Sequence, residues 1–197
     1  METFNNLPVY EAYFDKDGLL IDTIALVSRP ANKHEFVAMD EGELARFSVV
    51  DEDKRIIFGL VMGAGQLIYR RTVDRGEFYV HFSAKAIEDM LLGFMSNLRT
   101  THVKATHNGE YVDGVILLQS FLKDTERGIN PAGYDDVGDG SWFAAYKVLN
   151  DDVWDAIKTG DFKGFSIEGI YGVMPANDYK NMLDELDEMA TDLNTII

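Results

Sequence analysis

Alternating hydrophobic and polar residues dominate the first two thirds of the chain, and this period predicts short β-strands. The segments between them are polar or contain glycine, which is typical of turns. Their spacing is typical of a compact antiparallel sheet or barrel. The predicted strands are Val9–Phe14, Leu19–Val27, Arg46–Val50, Arg55–Met62, Leu67–Arg71, Phe78–Phe82, Val103–Thr106, Val112–Leu122, Trp142–Leu149 and Phe165–Val173.

Three predicted helices interrupt these strands. Ser83 is a suitable N-cap for a helix that ends near Asn97, because apolar residues recur after it at helical spacing. A short helix follows the N-cap Asn150 and stops at Gly160. The third helix covers about Asn177–Leu193 and has one apolar stripe opposite an acidic face. We therefore expect an α+β fold, a strand-rich body with helices packed on its outside.

The stretch Lys123–Ser141 follows neither pattern, since it is rich in glycine and acidic residues. A segment of this length is typical of either a functional flap over a cleft or a disordered surface excursion, and the sequence leaves both open. A length of 197 residues favours one domain. We predict that it covers residues 1–173, with a flexible loop at 123–141, and is followed by an amphipathic C-terminal helix over 174–197.

The charge balance narrows the class of protein. With 34 acidic against 18 basic residues the formal net charge is −16, which disfavours a grip on nucleic-acid phosphates. The absence of cysteine excludes disulfides, thiolate zinc sites and cysteine nucleophiles. The start, Met1-Glu-Thr-Phe-Asn-Asn, has no basic and apolar signal pattern, and no apolar run approaches the length that a bilayer requires. We expect a soluble protein of the cytoplasmic type.

No metal or cofactor site is predicted. The histidines do not show the spacing of a zinc-binding helix, and Asp135–Gly140 lacks the alternation of a calcium loop. Gly63-Ala-Gly65 is too short for a phosphate-binding loop. The histidines are His34, His81, His102 and His107.

Nucleophilic catalysis by a serine with a histidine base is the remaining chemistry. Ser166 lies between glycines in Gly164-Phe-Ser-Ile-Glu-Gly169, which is not the nucleophile elbow of α/β-hydrolases. From this pattern alone, an ordinary strand serine is the favoured interpretation. His107 precedes an Asn-Gly turn, where its ring could titrate, but a turn residue bonded to its own backbone explains it equally well.

Five passages together resemble a known family. The chain resembles the phage prohead (capsid maturation) serine proteases of the XkdF-like type, relatives of the herpesvirus assemblin fold, over roughly residues 7–173. The ordered combination is specific, although no single passage is. The passages are Leu26–Ala31, Gly59–Arg71, Gly76–Ala84, Thr106–Asn108 leading into Val112–Phe121, and Gly140–Phe143 through Val153-Trp154 to Gly164–Gly169.

The resemblance implies a small β-barrel in which a strand serine is paired with a histidine on a neighbouring strand. The serine matches Ser166 and the histidine matches His107. Related herpesvirus enzymes use a second histidine as the third member, and many phage enzymes use an acid. Similar phage sequences often have glutamate where this chain has Gln119. Asp113 and Glu168 are the alternatives, and we place Asp113 slightly ahead.

The resemblance also implies the biological role. The substrates would be scaffold or core proteins and the removable segment of the major capsid protein, cleaved inside the prohead in the host cytoplasm by acyl transfer. Nucleic acid, membrane and cofactors are not expected, and a homodimer or other self-association stays open. A non-enzymatic scaffold or internal capsid protein on the same fold is the alternative function. A small-molecule hydrolase is less favoured, because the α/β-hydrolase pattern is missing.

Overall fold

The computed structural model describes residues 2–13, 21–28, 54–105, 109–169, 172–182 and 184–185. Within these ranges the chain forms an α+β fold with mostly strands, which confirms the predicted class. The strands are β1 (Thr3–Phe4), β2 (Leu7–Tyr13), β3 (Ile21–Val27), β4 (Ile56–Met62), β5 (Ile68–Thr72), β6 (Gly76–His81), β7 (Val103–Ala105), β8 (Val115–Leu122), β9 (Trp142–Val148), β10 (Gly164–Gly169) and β11 (Gly172–Pro175).

The described strands form three sheets. One has the order β1-β2-β6-β5, with β11 also paired to β2, and the others have the orders β10-β3-β7 and β4-β9-β8. Most neighbours are antiparallel, but β2 with β6 and β3 with β7 are parallel. These sheets do not close into a barrel, so the predicted barrel is not confirmed in the described part of the chain.

A large apolar core lies between the sheets and the helices. β4 and β9 are apolar on both faces because each face is covered, one by this core and the other by a smaller cluster. On the core side, Trp142 packs edge-on against Phe94 of the first helix and donates its indole N–H to Ser120 Oγ at 2.8 Å. β4 and β9 are thus buried on both faces, whereas β8 is partly exposed, and we call the β4-β9-β8 sheet the central sheet.

Two helices have the predicted ends. Helix α1 (Ala84–Ser96) has Ser83 as its N-cap, with the Ser83 hydroxyl accepting a hydrogen bond from the Ala86 N–H. Helix α2 (Asp151–Lys158) has Asn150 as its N-cap. Residues 176–182 are helical and correspond to the start of the predicted third helix. None of the helices described is long and apolar enough to cross a membrane.

The glycine-rich stretch 123–141 packs onto the central sheet through a buried cluster. Lys123 is 4% exposed, and its ammonium donates to the carbonyl oxygens of Tyr134 at 2.9 Å and Val137 at 2.6 Å. Tyr134 and Val137 are buried against Leu60 and Phe143. The segment thus has an apolar anchor that its low apolar periodicity did not indicate. A role as a flap over a cleft stays a prediction.

Some strand predictions differ from the structure. The predicted strand Phe165–Val173 corresponds to two strands in different sheets, since β10 pairs with β3 and β11 pairs with β2. The short strand β1 was not predicted, because two residues are too few to show a period. The predicted strand Arg46–Val50 lies outside the described residues.

Candidate active site

Ser166 lies on β10 with its side chain on the face that points away from the main core. Its neighbours Phe165 and Ile167 point into that core, where the Phe165 ring lies 5.5 Å from the ring of Tyr146. Side chains alternate along a strand, so Ser166 and Glu168 share the opposite face. The register irregularity in β10 comes only after Glu168, between Glu168 and Gly169.

We call this surface of the β10-β3-β7 sheet the polar face and define it by Thr23, Ala25, Lys104, Ser166 and Glu168. In register, Ser166 pairs with Ala25, and Ala25 pairs with Lys104. Ser166 is only 6% exposed, and Thr23 and Ala25 are completely buried. The serine hydroxyl therefore lies in a sheltered environment rather than on an open sheet surface. Shelter of this kind strengthens electrostatic interactions, because fewer water molecules screen them.

An ion pair crosses the polar face beside Ser166. The Lys104 ammonium lies 2.8 Å from Glu168 Oε2, and both side chains are about four-fifths buried, with exposures of 22% and 19%. The two residues come from the two outer strands of the sheet, so the pair spans the central strand β3. Pairing and hydrogen bonding offset the cost of burying the two charges.

A second cluster adjoins Lys104 at the side of the sheet away from Ser166. The Lys104 ammonium lies 5.2 Å from the centre of the Tyr111 ring, and the His102 ring meets the same tyrosine edge-on at 5.5 Å. Arg99 Nη1 lies 3.4 Å from His102 Nε2. His102 Nδ1 is buried without a hydrogen-bond partner among the described residues. Tyr111 therefore connects Lys104 with His102, a histidine that the sequence did not single out.

The predicted base, His107, lies outside the described residues. The strand that precedes it, β7, ends at Ala105 and is not a neighbour of β10, since β3 lies between them. With about 4.8 Å between adjacent strands, the backbones of β7 and β10 are about 9.6 Å apart. The intervening residue in the Ser166 row is Ala25, whose methyl group leaves more room above the sheet than a larger side chain would.

The three candidates for the third member lie in different places. Glu168 is on the polar face with Ser166. Asp113 is exposed, two residues after Tyr111, and its backbone carbonyl accepts a hydrogen bond from the Asn150 side chain at 3.1 Å. Gln119 is on β8 and lines a groove of about 460 Å³ over the central sheet, together with Phe58. Of these three candidates, only Glu168 shares the strand of Ser166.

His81 belongs to another sheet and has its own carboxylate. Its Nε2 atom lies 2.9 Å from Glu11 Oε2, and Glu11 is only 2% exposed. The pairing of its ring N–H with the Glu11 carboxylate raises the pKa of His81 above its ordinary value, against the opposing effect of burial. This arrangement engages His81 with a carboxylate of its own sheet and leaves it apart from Ser166.

Lys104 is the residue of this site that the sequence reasoning missed. The alternation of His102, Val103, Lys104 and Ala105 was a usable signal, since it puts both polar residues on one strand face. The signal did not reveal that this face continues across β3 to Ser166. The alternation within one strand does not determine which other strand it pairs with.

A comparison with known protein families gives one match. Residues 43–174, about two thirds of the chain, match the family described as putative phage serine protease XkdF. The matched segment contains both Ser166 and His107. No curated protein and no solved structure matches the chain.

Proposed function

The chain belongs to the XkdF family of phage serine proteases, and from this premise we propose that it is a serine endopeptidase of capsid maturation. Ser166 is the nucleophile and His107 is the base. The observation that carries the proposal is the position of Ser166 on the sheltered polar face, inside the segment that matches the family.

The reaction is an acyl transfer. The imidazole of His107 removes the proton from the Ser166 hydroxyl as its oxygen attacks the carbonyl carbon of the scissile peptide bond. The tetrahedral intermediate collapses when the imidazolium returns the proton to the leaving amine, which leaves an acyl ester on Ser166. Water, deprotonated by the same imidazole, then hydrolyses the ester and regenerates the hydroxyl. Backbone N–H groups stabilise the oxyanion in such reactions.

Glu168 is the best-placed acid among the described candidates. It lies two residues from Ser166 on the same strand face, whereas Asp113 is exposed to solvent and Gln119 lines the groove on the central sheet. This placement supports Glu168 over Asp113, the candidate that the sequence put first. A carboxylate also stabilises an imidazolium by charge, which the amide of Gln119 does not.

The proposed substrates follow from the family rather than from the geometry. They are the scaffold or core protein and the removable segment of the major capsid protein, and cleavage occurs inside the prohead in the host cytoplasm. The interior of a prohead confines the protease and its substrates together, so a modest affinity of the protease for each substrate is sufficient.

The decisive experiment compares Ser166→Ala with Ser120→Ala. Both serines lie on strands, but Ser120 accepts a hydrogen bond from Trp142 and has no proposed catalytic role. We expect a fluorophosphonate probe to label wild type and Ser120→Ala, and Ser166→Ala to lose labelling by about 10³-fold or more. In parallel, each variant is co-expressed with the scaffold and major capsid proteins, and the cleavage products are followed by mass spectrometry.

Two histidine variants test the base. His107→Ala should abolish labelling, whereas His102→Gln should retain it, because His102 adjoins Arg99 and Tyr111 rather than Ser166. Unchanged processing by Ser166→Ala would overturn the proposal. Binding of the capsid protein without any cleavage by wild type would favour the alternative of a non-enzymatic scaffold or internal capsid protein.

A further inference from the structure

We propose that the groove over the central sheet binds an extended peptide segment of a partner protein. The apolar side chains of the peptide lie in the groove, and its basic residues lie beside the segment 123–141. The groove is on the side of the central sheet that carries the smaller apolar cluster, whereas Ser166 belongs to another sheet. This second binding site goes beyond the proposed function. We call it the outer groove, and it is defined here by Phe58, Leu118, Gln119, Phe121, Asn130 and Ala132.

The floor of the outer groove is a closely packed stack of aromatic rings. The rings of Phe58 and Phe121 lie 6.2 Å apart with 17° between their planes, and they stack on the buried Phe143 at 5.8 and 5.9 Å. Tyr134 of the segment 123–141 meets Phe143 edge-on at 4.6 Å. Because these contacts fix the ring positions, the groove has its shape before an occupant binds, as most ligand sites do.

An irregularity in β8 adds an apolar side chain to the wall of the groove. Leu117 of β8 pairs with Tyr146 of β9. The next pair is Gln119 with Ala145, so Leu118 has no partner in this ladder. Consecutive side chains of a regular strand point to opposite faces, but Leu118 and Gln119 both line the groove. The Leu118 side chain is 51% exposed, and an occupant of the groove would bury it.

Two side-chain amides favour a peptide as the occupant. Gln119 lies on the wall formed by β8, and Asn130 lies on the wall formed by the segment 123–141. Both residues are exposed, and neither side-chain amide has a hydrogen-bond partner within the described part of the chain. Each amide offers donors and an acceptor, which are the groups that pair with the main chain of an extended peptide. The aromatic floor accommodates the apolar side chains of the same peptide.

The charge of the segment 123–141 favours a basic peptide. The segment has five acidic residues and two basic ones. Both cations are engaged within the segment, since the buried Lys123 ammonium donates to backbone carbonyls and Arg127 lies 3.7 Å from Asp124. Acidic side chains therefore dominate this border of the groove and attract lysine or arginine. A second copy of the chain is disfavoured, because two molecules of net charge −16 repel each other.

The register of the central sheet gives the outer groove two unlike ends. At one end, Phe143 contacts Tyr134 of the segment 123–141. At the other end, further along β9, Lys147 pairs with Ile56, which also lines the groove. The Lys147 ammonium donates to a backbone carbonyl, so a cation is held at that end. The basic residues of the peptide are therefore expected beside the segment 123–141 and not beside Lys147.

The test uses the full chain and synthetic fluorescein-labelled peptides of about ten residues, with binding measured by fluorescence anisotropy. Each peptide has Leu, Val or Phe at two alternate positions, because alternate side chains of an extended chain share a face. These positions are followed by two lysines or, in the matched peptide, by two glutamates. We expect the best lysine peptide to bind with a Kd of about 1–100 µM and its glutamate counterpart to bind at least about tenfold more weakly.

Two variants examine the groove itself. Leu118→Ser removes the exposed apolar side chain and should weaken binding of the lysine peptide by about tenfold or more. Leu149→Ser is the matched control, since Leu149 is 55% exposed but does not line the groove, and it should bind as wild type does. Ala132→Trp fills the groove and should also weaken binding by about tenfold or more.

A pair of charge variants examines the basic preference. Glu126→Gln combined with Asp135→Asn removes two exposed negative charges from the segment 123–141 and should lower the preference for the lysine peptide by about threefold. Asp184→Asn combined with Glu185→Gln removes two exposed negative charges outside the segment and should leave that preference unchanged.

Thermal unfolding of every variant identifies any that fail to fold. The inference would be wrong if no lysine peptide bound wild type with a Kd below about 1 mM, or if Leu118→Ser and Ala132→Trp both bound as wild type does. A wild-type dimer in sedimentation that Leu118→Ser abolishes would overturn it in favour of a second copy of the chain. Peptide binding does not require Ser166, so this inference and the proposed function fail separately.

Discussion

At the scale of single residues, the carboxylate of Glu11 joins three elements. Glu11 on β2 is in register with His81 on the parallel strand β6, and its Oε2 atom lies 2.9 Å from His81 Nε2. Its Oε1 atom accepts a hydrogen bond from the Ser83 N–H at 2.7 Å, at the start of α1. One buried side chain therefore fixes the positions of two strands and a helix.

This contact makes stability depend on pH. Glu11 raises the pKa of His81 in the folded state, so folding favours the protonated imidazole. The stabilisation is complete below the unfolded pKa of about 6.5 and is lost as the pH rises through the higher folded value. His81→Gln should therefore cost about 1 kcal/mol more at about pH 6 than at about pH 8. Urea unfolding at the two pH values measures the difference.

Glu11→Gln removes the negative charge that pairs with His81. It should therefore weaken the pH dependence of the free energy of unfolding. The amide keeps an oxygen that can accept from the Ser83 N–H, so the start of α1 is preserved. If His81→Gln costs the same free energy of unfolding at both pH values, the ion pair does not contribute as described.

At the scale of elements, the segment 123–141 docks against the first residue of α1 through Gly140. Gly140 has φ +81°, and a Cβ atom there would lie 2.4 Å from the Cβ of Ala84. Gly140→Ala should therefore lower the free energy of unfolding by about 3 kcal/mol, from backbone strain and steric overlap together. Denaturant unfolding of the full chain measures this loss.

Gly128 in the same segment is the matched control. It has φ +78°, but a Cβ atom there would have no neighbour within 4 Å. Gly128→Ala should cost only the backbone strain, about 1–2 kcal/mol. Equal losses for the two variants would show that the contact with Ala84 does not hold the segment in place.

Helices and strands differ in how far the sequence determines them. The ends of α2 were predictable because each signal is local: the Asn150 side chain accepts from the Val153 N–H at 3.0 Å, and Gly160 has φ +79° just after the helix. Strand pairing has no local signal, so the parallel pairs and the division into three sheets could not be predicted.

The candidate site shows the same limit. Ser166 and Glu168 share one strand face, which the two-residue period makes predictable because that period belongs to a single strand. The partner of Glu168 was not predictable, since Lys104 comes from a strand 64 positions earlier in the chain. Local pattern therefore identifies which side chains can share a face, and only the fold decides which strands bring their faces together.

At the scale of the whole molecule, the three sheets of the described residues share one core, while the chain carries a large excess of negative charge. Ion pairs such as Arg55–Asp151 and Lys158–Asp155 lie at exposed positions, where water and dissolved salt screen the attraction between the charges. They are too weak to offset the mutual repulsion that accompanies a formal net charge of −16. At neutral pH, repulsion among the acidic side chains therefore destabilises the folded state.

Salt should consequently stabilise the protein. Raising sodium chloride from about 20 mM to about 500 mM screens the repulsion over distances beyond a few ångströms and should raise the midpoint of thermal unfolding by about 2–4 °C. The increase should shrink as the pH is lowered toward the pI near 4.5, because the net charge that salt screens then disappears. Differential scanning calorimetry at each salt concentration and pH measures both trends. A midpoint that falls with added salt at neutral pH would mean that the surface ion pairs outweigh the repulsion.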